Sequence, residues 1–356
     1  MALTTANTPN REPMTTHVLL VRPALNRVYA ESSVDLMAAE LAVFSDRLLG
    51  GRVRDIAPVR LSGVPYLGFT CPDLGPDDAA RLANLSSAYA LFERRGDLLA
   101  PVELTPLDKF DDDLVTIQKY PGKTNEHFTK LLLNLAVVSS ASAQDMLTRR
   151  LRVLDPMCGR GTTLNQALTY GYDTAGIDVD GKDFDAYAQF IQTWLKRKRV
   201  KHQADTTRVR RDGKVIARRF QASIGVTKES YKAGDALDLD YVNADTTEAN
   251  RFHRAGTFDV IATDAPYGVQ HGSRATGALH RGPLELIRAA IGGWVGLLRP
   301  GGALAISWNT NVVPRASLVD ALAAANLEPL DEGPYLGFSH RVDQAIVRDI
   351  VVARKP

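Results

Sequence analysis

The chain has 356 residues, room for one sizeable α/β domain and a smaller unit at roughly 100–200 residues each. Its 45% hydrophobic and 24% charged residues suit a globular protein, and its apolar runs stay well short of the ~18 residues of a membrane span, so no membrane segment is expected. A formal net charge of +2 excludes a global basic field as the means of attracting nucleic acid, so any such attraction has to be local.

Residues 1–16 are polar and lack the apolar core of a secretion signal, which predicts a disordered tail and a cytoplasmic protein. Cys71 and Cys158, too few and too far apart in sequence for a zinc site or a disulfide framework, read as reduced thiols, and no metal is expected. A first unit over 17–115 follows. Val18 to Val21 reads as a strand, Ser33 to Leu49 as an amphipathic helix stopped by Gly50-Gly51, and Val53 to Ala57 with Val64 to Thr70 as two more strands. Pro76 to Arg94, with proline at its start and apolar Ala80, Leu82, Leu85 and Ala88, reads as a second helix. This β-α-β-β-α order predicts a small α+β, ferredoxin-like unit. Leu99 to Thr124, rich in proline, aspartate and threonine, reads as the linker.

The second unit, 116–356, has a different rhythm. Short β-rich runs at Arg152–Asp155, Ala175–Asp178, Asp259–Thr263 and Ala303–Trp308 alternate with helical stretches, which predicts a Rossmann-like, mostly parallel, doubly wound sheet. His340 to Ala353 suits an antiparallel closing strand. Within 196–232 lies a basic insertion containing Lys196, Arg197, Lys198, Arg199, Lys201, Arg208, Arg210, Arg211, Lys214, Arg218 and Arg219, interrupted by Asp205 and Asp212. It is either a solvated face or a phosphate-binding surface, and Arg210 and Arg211 are the residues expected to touch substrate.

Two strings carry chemistry. In the first, the apolar strand Val153-Leu154 ends in Asp155 and continues Pro156-Met157-Cys158-Gly159-Arg160-Gly161-Thr162 before a helix. Glycines there let the backbone approach a ligand at the carboxyl edge of the sheet, and an acid ahead of them suits an ammonium group. A dinucleotide turn would need a third glycine, where Leu164 stands. Asp178 ends the next strand 23 residues after Asp155 and is the candidate for ribose hydroxyls, with Asp180 its rival. Gly234-Asp235-Ala236 places a further acid in a loop, and Thr124 or Asn125 would cap the helical run through Leu131 to Val138.

In the second string, Asp259-Val260-Ile261-Ala262-Thr263 ends in Asp264-Ala265-Pro266-Tyr267-Gly268. An exocyclic amine attacks only when its lone pair is turned out of the ring. A carboxylate (Asp264) and a carbonyl (Ala265 or Pro266) accepting its two N–H groups favour that geometry, while an aromatic face (Tyr267) holds the base flat.

The first string resembles the D-P-x-C-G-x-G-T motif of class I S-adenosylmethionine-dependent amino-methyltransferases, matching at Asp155, Pro156, Cys158, Gly159, Gly161 and Thr162. The second resembles their [D/N]-P-P-Y motif, departing at Ala265. Phe338-Ser339-His340-Arg341-Val342-Asp343 is similar to the His-Arg segment of archaeal and eukaryotic tRNA guanine-N2 methyltransferases. The resemblance covers about Thr116 to Ala353 well and the leader weakly. It implies S-adenosylmethionine as cofactor, Asp155 through Thr162 with Asp178, Asp235, Thr124 and Asn125 as its binding groups, Asp264, Pro266 and Tyr267 as catalytic residues, and Tyr267, His340 and Arg341 as substrate contacts. The roughly 100 residues before the linker are too few for both the leader and the tRNA-binding THUMP domain those enzymes carry. The implied substrate is an amino group of a base in RNA, with tRNA guanine-N2 leading. Methylation of adenine-N6 or cytosine-N4 in DNA, a catalytically silent cofactor- and RNA-binding module, and a small-molecule or protein methyltransferase stay open.

Overall fold

The computed structural model describes residues 14–23, 27–120, 122–266 and 282–356. The amino-terminal unit is a five-stranded antiparallel sheet of order β2-β3-β1-β4-β5. Its elements are β1 (Thr15–Val21), α1 (Arg27–Leu48), β2 (Arg54–Leu61), β3 (Val64–Cys71), α2 (Pro76–Leu82), β4 (Ala88–Arg95) and β5 (Leu98–Val102). The first four strands lie in the ferredoxin-like order, with β5 added at the edge beside β4.

Three expectations change here. Residues 1–13 of the expected tail lie outside the described residues, but Thr15 and Thr16 already pair with β3. The helix expected over Pro76 to Arg94 ends at Leu82. Asn84 then uses its side chain to hold the chain, its Nδ2 on Ala80 O at 2.9 Å and its Oδ1 on Leu107 N at 3.0 Å, and Ala88–Arg95 is a strand. The apolar spacing misled because Ala80 to Ala88 crosses a turn, while Tyr89 and Phe92 were the strand signal. The segment read as a linker begins inside β5 and then folds onto the second unit. Lys109 N bonds Thr169 O at 2.8 Å, and Leu114, on the short α3 (Asp113–Thr116), is 1% exposed.

The second unit holds a mixed sheet of order β13-β15-β12-β11-β6-β7-β10-β9-β8, with β14 on β15. Its elements are α4 (Glu126–Ser139), β6 (Arg152–Asp155), α5 (Thr162–Thr169), β7 (Asp173–Asp178), α6 (Gly181–Arg197), β8 (His202–Arg211), β9 (Lys214–Gly225), α7 (Lys228–Lys232), β10 (Ala236–Asn243), β11 (Phe258–Asp264), α8 (Pro283–Leu297), β12 (Leu298–Asn309), α9 (Arg315–Ala324), β13 (Glu328–Leu330), β14 (His340–Arg341) and β15 (Val347–Arg354). Strands β12, β11, β6, β7 and β10 run parallel, so their carboxyl ends share one rim, and β15 enters antiparallel beside β12. Apolar residues of α5 and α6 pack with one side of the sheet and those of α8 and α9 with another cluster. This is the Rossmann-like, mostly parallel sheet expected from the sequence, with an antiparallel strand added beside β12. The closing strand expected over His340 to Ala353 is split into β14 and β15, and the basic insertion is the β8–β9 hairpin.

The two units are not beads on a string. Helix α4 is apolar nearly all round, with Leu131, Leu132, Leu133, Leu135, Val137 and Val138 at most 1% exposed, as a helix buried on every side must be. One apolar cluster runs from Leu19 and Phe44 of the small unit through α4 to Val260 and Ile350 of the large sheet. Across the same junction Glu40, fully buried, accepts Ser86 N at 2.9 Å, Ser86 Oγ at 2.6 Å and Asn134 Nδ2 at 2.7 Å. Tyr170 OH donates to Asn134 Oδ1 at 2.8 Å. Burial raises the Glu40 carboxyl, and these donors oppose the rise.

Candidate active site

The glycine turn forms where β6 stops. Gly159 and Gly161 have φ of +48° and +74°, which side chains disfavour. A Cβ on Gly159 would come no closer than 4.0 Å to any atom, that of Asp183, so the space there is open. A Cβ on Gly161 would overlap the Tyr187 ring, so glycine also lets α5 start against α6.

Carboxylates brace this turn from below and from the side. Asp155 is 3% exposed, and its Oδ1 accepts Thr263 Oγ1 at 2.7 Å and Met157 N at 3.1 Å. Burial pushes its carboxyl up to about 7. Asp178 accepts Gly159 N at 2.8 Å and Asp180 N at 2.9 Å, and burial pushes it up to about 6. Asp180 instead caps α6 through Lys182 N at 2.7 Å and Asp183 N at 3.3 Å, so of the two rivals only Asp178 bonds the turn. Pro156 and Cys158 are buried, and burial raises the Cys158 thiol well above its usual value. Thr162 shares a 3.0 Å hydrogen bond with Tyr120, whose ring lies 4.7 Å from the Arg160 guanidinium.

The turn fits an S-adenosylmethionine molecule: left-handed glycines beside open space, acids at the ends of β6 and β7, and the exposed apolar Val179 next along the rim. Asp235 does not join them. Asn243, at the end of β10, is level with Asp178, whereas Asp235 precedes the start of β10, about 26 Å away at ~3.3 Å per residue, and pairs with Arg150. The Gly-Asp-Ala string therefore lies at the opposite end of β10 from the glycine turn. The polar groups that β10 brings to the proper rim are Asn243, whose Nδ2 bonds Asp178 O at 2.9 Å, and Asp245 just beyond it.

Asp264 ends β11 on the same rim, one residue after the Thr263 that bonds Asp155. Its carboxylate, 18% exposed, accepts Thr124 Oγ1 at 2.6 Å and Ser307 Oγ, with Arg348 Nη2 3.8 Å away. Thr124 thus reaches the Asp264 carboxylate, while Asn125 caps α4 through His127 N at 2.9 Å and Phe128 N at 3.2 Å. Ala265 is buried and gives its N–H to Ser307 O at 2.8 Å, a bond that proline could not make, and Pro266 follows it exposed. Tyr267 lies outside the described residues.

Two of the groups on this carboxylate, Thr124 and Arg348, line a cavity of about 240 Å³, whose wall also includes Asn125, Lys123, His340 and Arg341. Tyr29 of α1 also lines it, so the small unit helps shape the site. His340 is buried against Phe128, ring centres 5.2 Å apart, with Nδ1 3.0 Å from Phe338 O, and burial lowers it to about 4, so it is neutral near pH 7. Arg341 is exposed beside it. Arg210 and Arg211 are not at this cavity but at the tip of the β8–β9 hairpin, on β8, five strands from β11. Ser307 and Arg348, which sequence reading missed, come from β12 and β15. A serine ending the apolar run Ala303 to Ile306, next to an acid-ended strand, was the available signal for the first.

Among the described residues no helix is long and apolar enough to cross a membrane, and no group of three or more His, Cys, Asp and Glu side chains could hold a metal ion. No curated protein matches the chain. Solved structures similar to it include a TehB-like SAM-dependent methyltransferase from Corynebacterium glutamicum, 15% identical over 60% of this chain and 84% of that one, with a TM-score of 0.35. The N-methyltransferase NodS from Bradyrhizobium japonicum with S-adenosyl-L-homocysteine is 14% identical over 70% and 95%, with a TM-score of 0.39. A precorrin-6y C5,15-methyltransferase from Geobacter metallireducens is 11% identical over 70% and 99%, also at 0.39. None of these likenesses reaches a TM-score of 0.5, and the assignment rests instead on the family match: residues 127–298 match the family UPF0020, described as an RMKL-like methyltransferase domain. That segment, which holds the glycine turn and Asp264 together, is similar to this family's methyltransferase domain, and the match supports S-adenosylmethionine-dependent methyl transfer.

Proposed function

We propose that the protein methylates an exocyclic amino group of a nucleobase in cytoplasmic RNA, guanine-N2 of a tRNA being the leading substrate. The observation that carries the reading is the Asp264 carboxylate, fixed by Thr124 and Ser307 beside a cavity and joined through Thr263 to the Asp155 turn.

S-adenosylmethionine supplies a methyl group on a sulfonium that departs as a neutral thioether when the new N–C bond forms and the S–C bond breaks. In this reading Asp155 faces the amino-acid ammonium, Asp178 the ribose hydroxyls, and Gly159 leaves room for the ligand. Asp235 drops from this set, and Asn243 and Asp245 take its place near the adenine. Asp264 accepts one N–H of the target amine and the carbonyl of Ala265 or Pro266 the other, which turns the nitrogen lone pair toward the methyl. The proton shed by the methylated nitrogen passes to Asp264 or to solvent. Pro266 shapes the exit of this strand, and Tyr267 stacks on the base. His340 and Arg341, on the cavity wall, hold the base and its sugar-phosphate. A base inside a duplex would first have to be extruded, so loop nucleotides are the easier substrates.

Methyl transfer from labelled cofactor to total tRNA, followed by nucleoside mass spectrometry, tests the reading. The expected product is N2-methylguanosine, absent with Asp264→Ala. Label entering only DNA, or neither nucleic acid, would refute it.

A further inference from the structure

The basic run that reads as continuous in the sequence is divided by the fold. Helix α6 descends from the carboxyl rim, starting at Gly181 just after Asp178, so Lys196, Arg197, Lys198, Arg199 and Lys201 end up near the opposite rim. There Lys198 is held by Asp111 and Asp113 at 2.7 Å each. Strand β8 then climbs back, because β9 runs antiparallel to both β8 and β10. Asn243, the last residue of β10, is level with Arg218 of β9. The hairpin therefore continues past the rim by the four residues from Arg218 to Lys214, about 13 Å at ~3.3 Å each.

Two cations at its base serve the fold. Arg218 binds Asp185 at 2.7 Å and Gly181 O at 3.1 Å, and Arg219 pairs with Asp240. The overhanging part carries Arg210, Arg211 and Lys214, with Arg208 level with Arg218 at the rim, and all four are exposed. Among the described residues no carboxylate lies within ion-pairing distance of any of the four. Val209 and Ile216 pack on the apolar cluster that holds Ala249 and Phe252, which gives the hairpin a fixed stance. Its strand β9 stands four strand spacings from β11, about 19 Å from Asp264 at ~4.8 Å each.

We infer that this overhanging hairpin is the RNA backbone grip, binding phosphates several nucleotides from the methylated base. The inference rests on the nucleic-acid reading above and adds where the polyanion lies: across the rim, over the hairpin tip, and not along the α6 end of the same basic run. Strongly hydrated Lys and forked Arg donors at a fixed spacing suit successive phosphates and carry no base preference.

The test compares two full-length variants that lose equal charge. One carries Arg208→Gln, Arg210→Gln, Arg211→Gln and Lys214→Gln. The other carries Lys196→Gln, Arg197→Gln, Arg199→Gln and Lys201→Gln. Affinity for a methyl-accepting tRNA is measured from 50 to 300 mM KCl, with S-adenosylmethionine affinity and melting midpoint as folding checks. The hairpin variant should bind at least about tenfold more weakly, and its log Kd–log salt slope should fall by about 3, near 0.7 per lost phosphate contact. The α6 variant should stay within about threefold of wild type. Equal weakening in both, or an unchanged hairpin variant, overturns the inference and leaves the proposed reaction intact. If the hairpin variant melts early, Arg210→Gln and Lys214→Gln singly should each weaken binding about two- to threefold and lower the slope, and no change in either overturns the inference. Wild-type protein that methylates no RNA, or prefers duplex DNA, overturns both.

Discussion

The two halves of the proposed catalytic rim, a cofactor half and a reacting half, are held in different ways. The cofactor half, β6 and β7, is braced mainly by local backbone: Met157 N and Gly159 N on Asp155 and Asp178, and Cys158 N on Ile177 O. The reacting half is braced by side chains from distant segments, with Thr124, Ser307 and Arg348 converging on Asp264 from before α4 and from β12 and β15. A motif held by its own backbone tolerates change around it but not within it. A carboxylate held by three remote groups should lose function in graded steps as they are removed.

The sharpest break in that comparison is Asp264→Ala. It should lower kcat/KM for methyl transfer at least about 10³-fold, roughly 4 kcal/mol of transition-state stabilisation, while S-adenosylmethionine affinity by calorimetry stays within about twofold. Asp264→Asn, which keeps one acceptor oxygen, should fall between. If Asp264→Ala instead abolished cofactor binding, the two halves would not be separable.

Gly161→Ala attacks the other half. The new Cβ would overlap Tyr187 at a left-handed φ, so the turn must shift, and about 2–3 kcal/mol of strain is expected. Cofactor affinity should drop about 100-fold or the melting midpoint should fall, and kcat at saturating cofactor should change less than for Asp264→Ala. Unaltered cofactor affinity together with an unaltered midpoint would show that the turn is not braced as described.

Acid should weaken cofactor binding without loosening the fold around it. Burial raises Asp155 to about 7 and Asp178 to about 6, above their ordinary 3.8. Ionising them costs the folded protein, so their contribution to stability is largest below 3.8 and is lost as pH rises through about 6 to about 7. An ammonium beside Asp155 favours the ionised form, so cofactor binding should release a proton. Affinity should then weaken at least about tenfold from pH 7.5 to pH 5, with the loss beginning near pH 7. Flat affinity over that range would leave Asp155 without an ammonium partner.

The same contrast explains what the sequence disclosed. Asp155 through Thr162 was legible because its structure is written in consecutive residues, and Asp264 because an acid ended an apolar strand. Ser307 and Arg348 were not, because only the strand order β11-β12-β15 brings them to Asp264. Asp235 was misread because three residues do not say which end of a strand they occupy. The ferredoxin-like order survived a wrong boundary: Pro76–Leu82 is helical and Ala88–Arg95 is not, yet the sequence of element types was close enough to name the unit.

The junction between the units should behave like a backbone-braced region, failing as a whole. Asn134→Ala removes the Asn134 donor to fully buried Glu40 and the acceptor for Tyr170, which should cost about 1–3 kcal/mol in urea unfolding. Both units should lose structure in one transition, since one apolar cluster spans them. A separate early transition of the amino-terminal sheet would mean that the shared core does not couple them.

The smallest effect is the most telling about the reacting half. Ser307→Ala deletes one of the bonds on Asp264 but leaves Thr124 Oγ1 at 2.6 Å and the Arg348 guanidinium at 3.8 Å, and the backbone bond from Ala265 N to Ser307 O needs no side chain. The carboxylate should therefore keep its place with more freedom, and kcat/KM should fall only about tenfold, near 1.4 kcal/mol. Thr124→Val alone should do about the same. If the two hydroxyls share the task of orienting one carboxylate, the pair of substitutions should lose clearly more than the product of the single losses, with a coupling above about 0.5 kcal/mol, because the first loss is covered by the remaining hydroxyl and the second is not. Strict additivity would mean that each hydroxyl acts on Asp264 alone, and that the convergence of remote side chains is packing without cooperation.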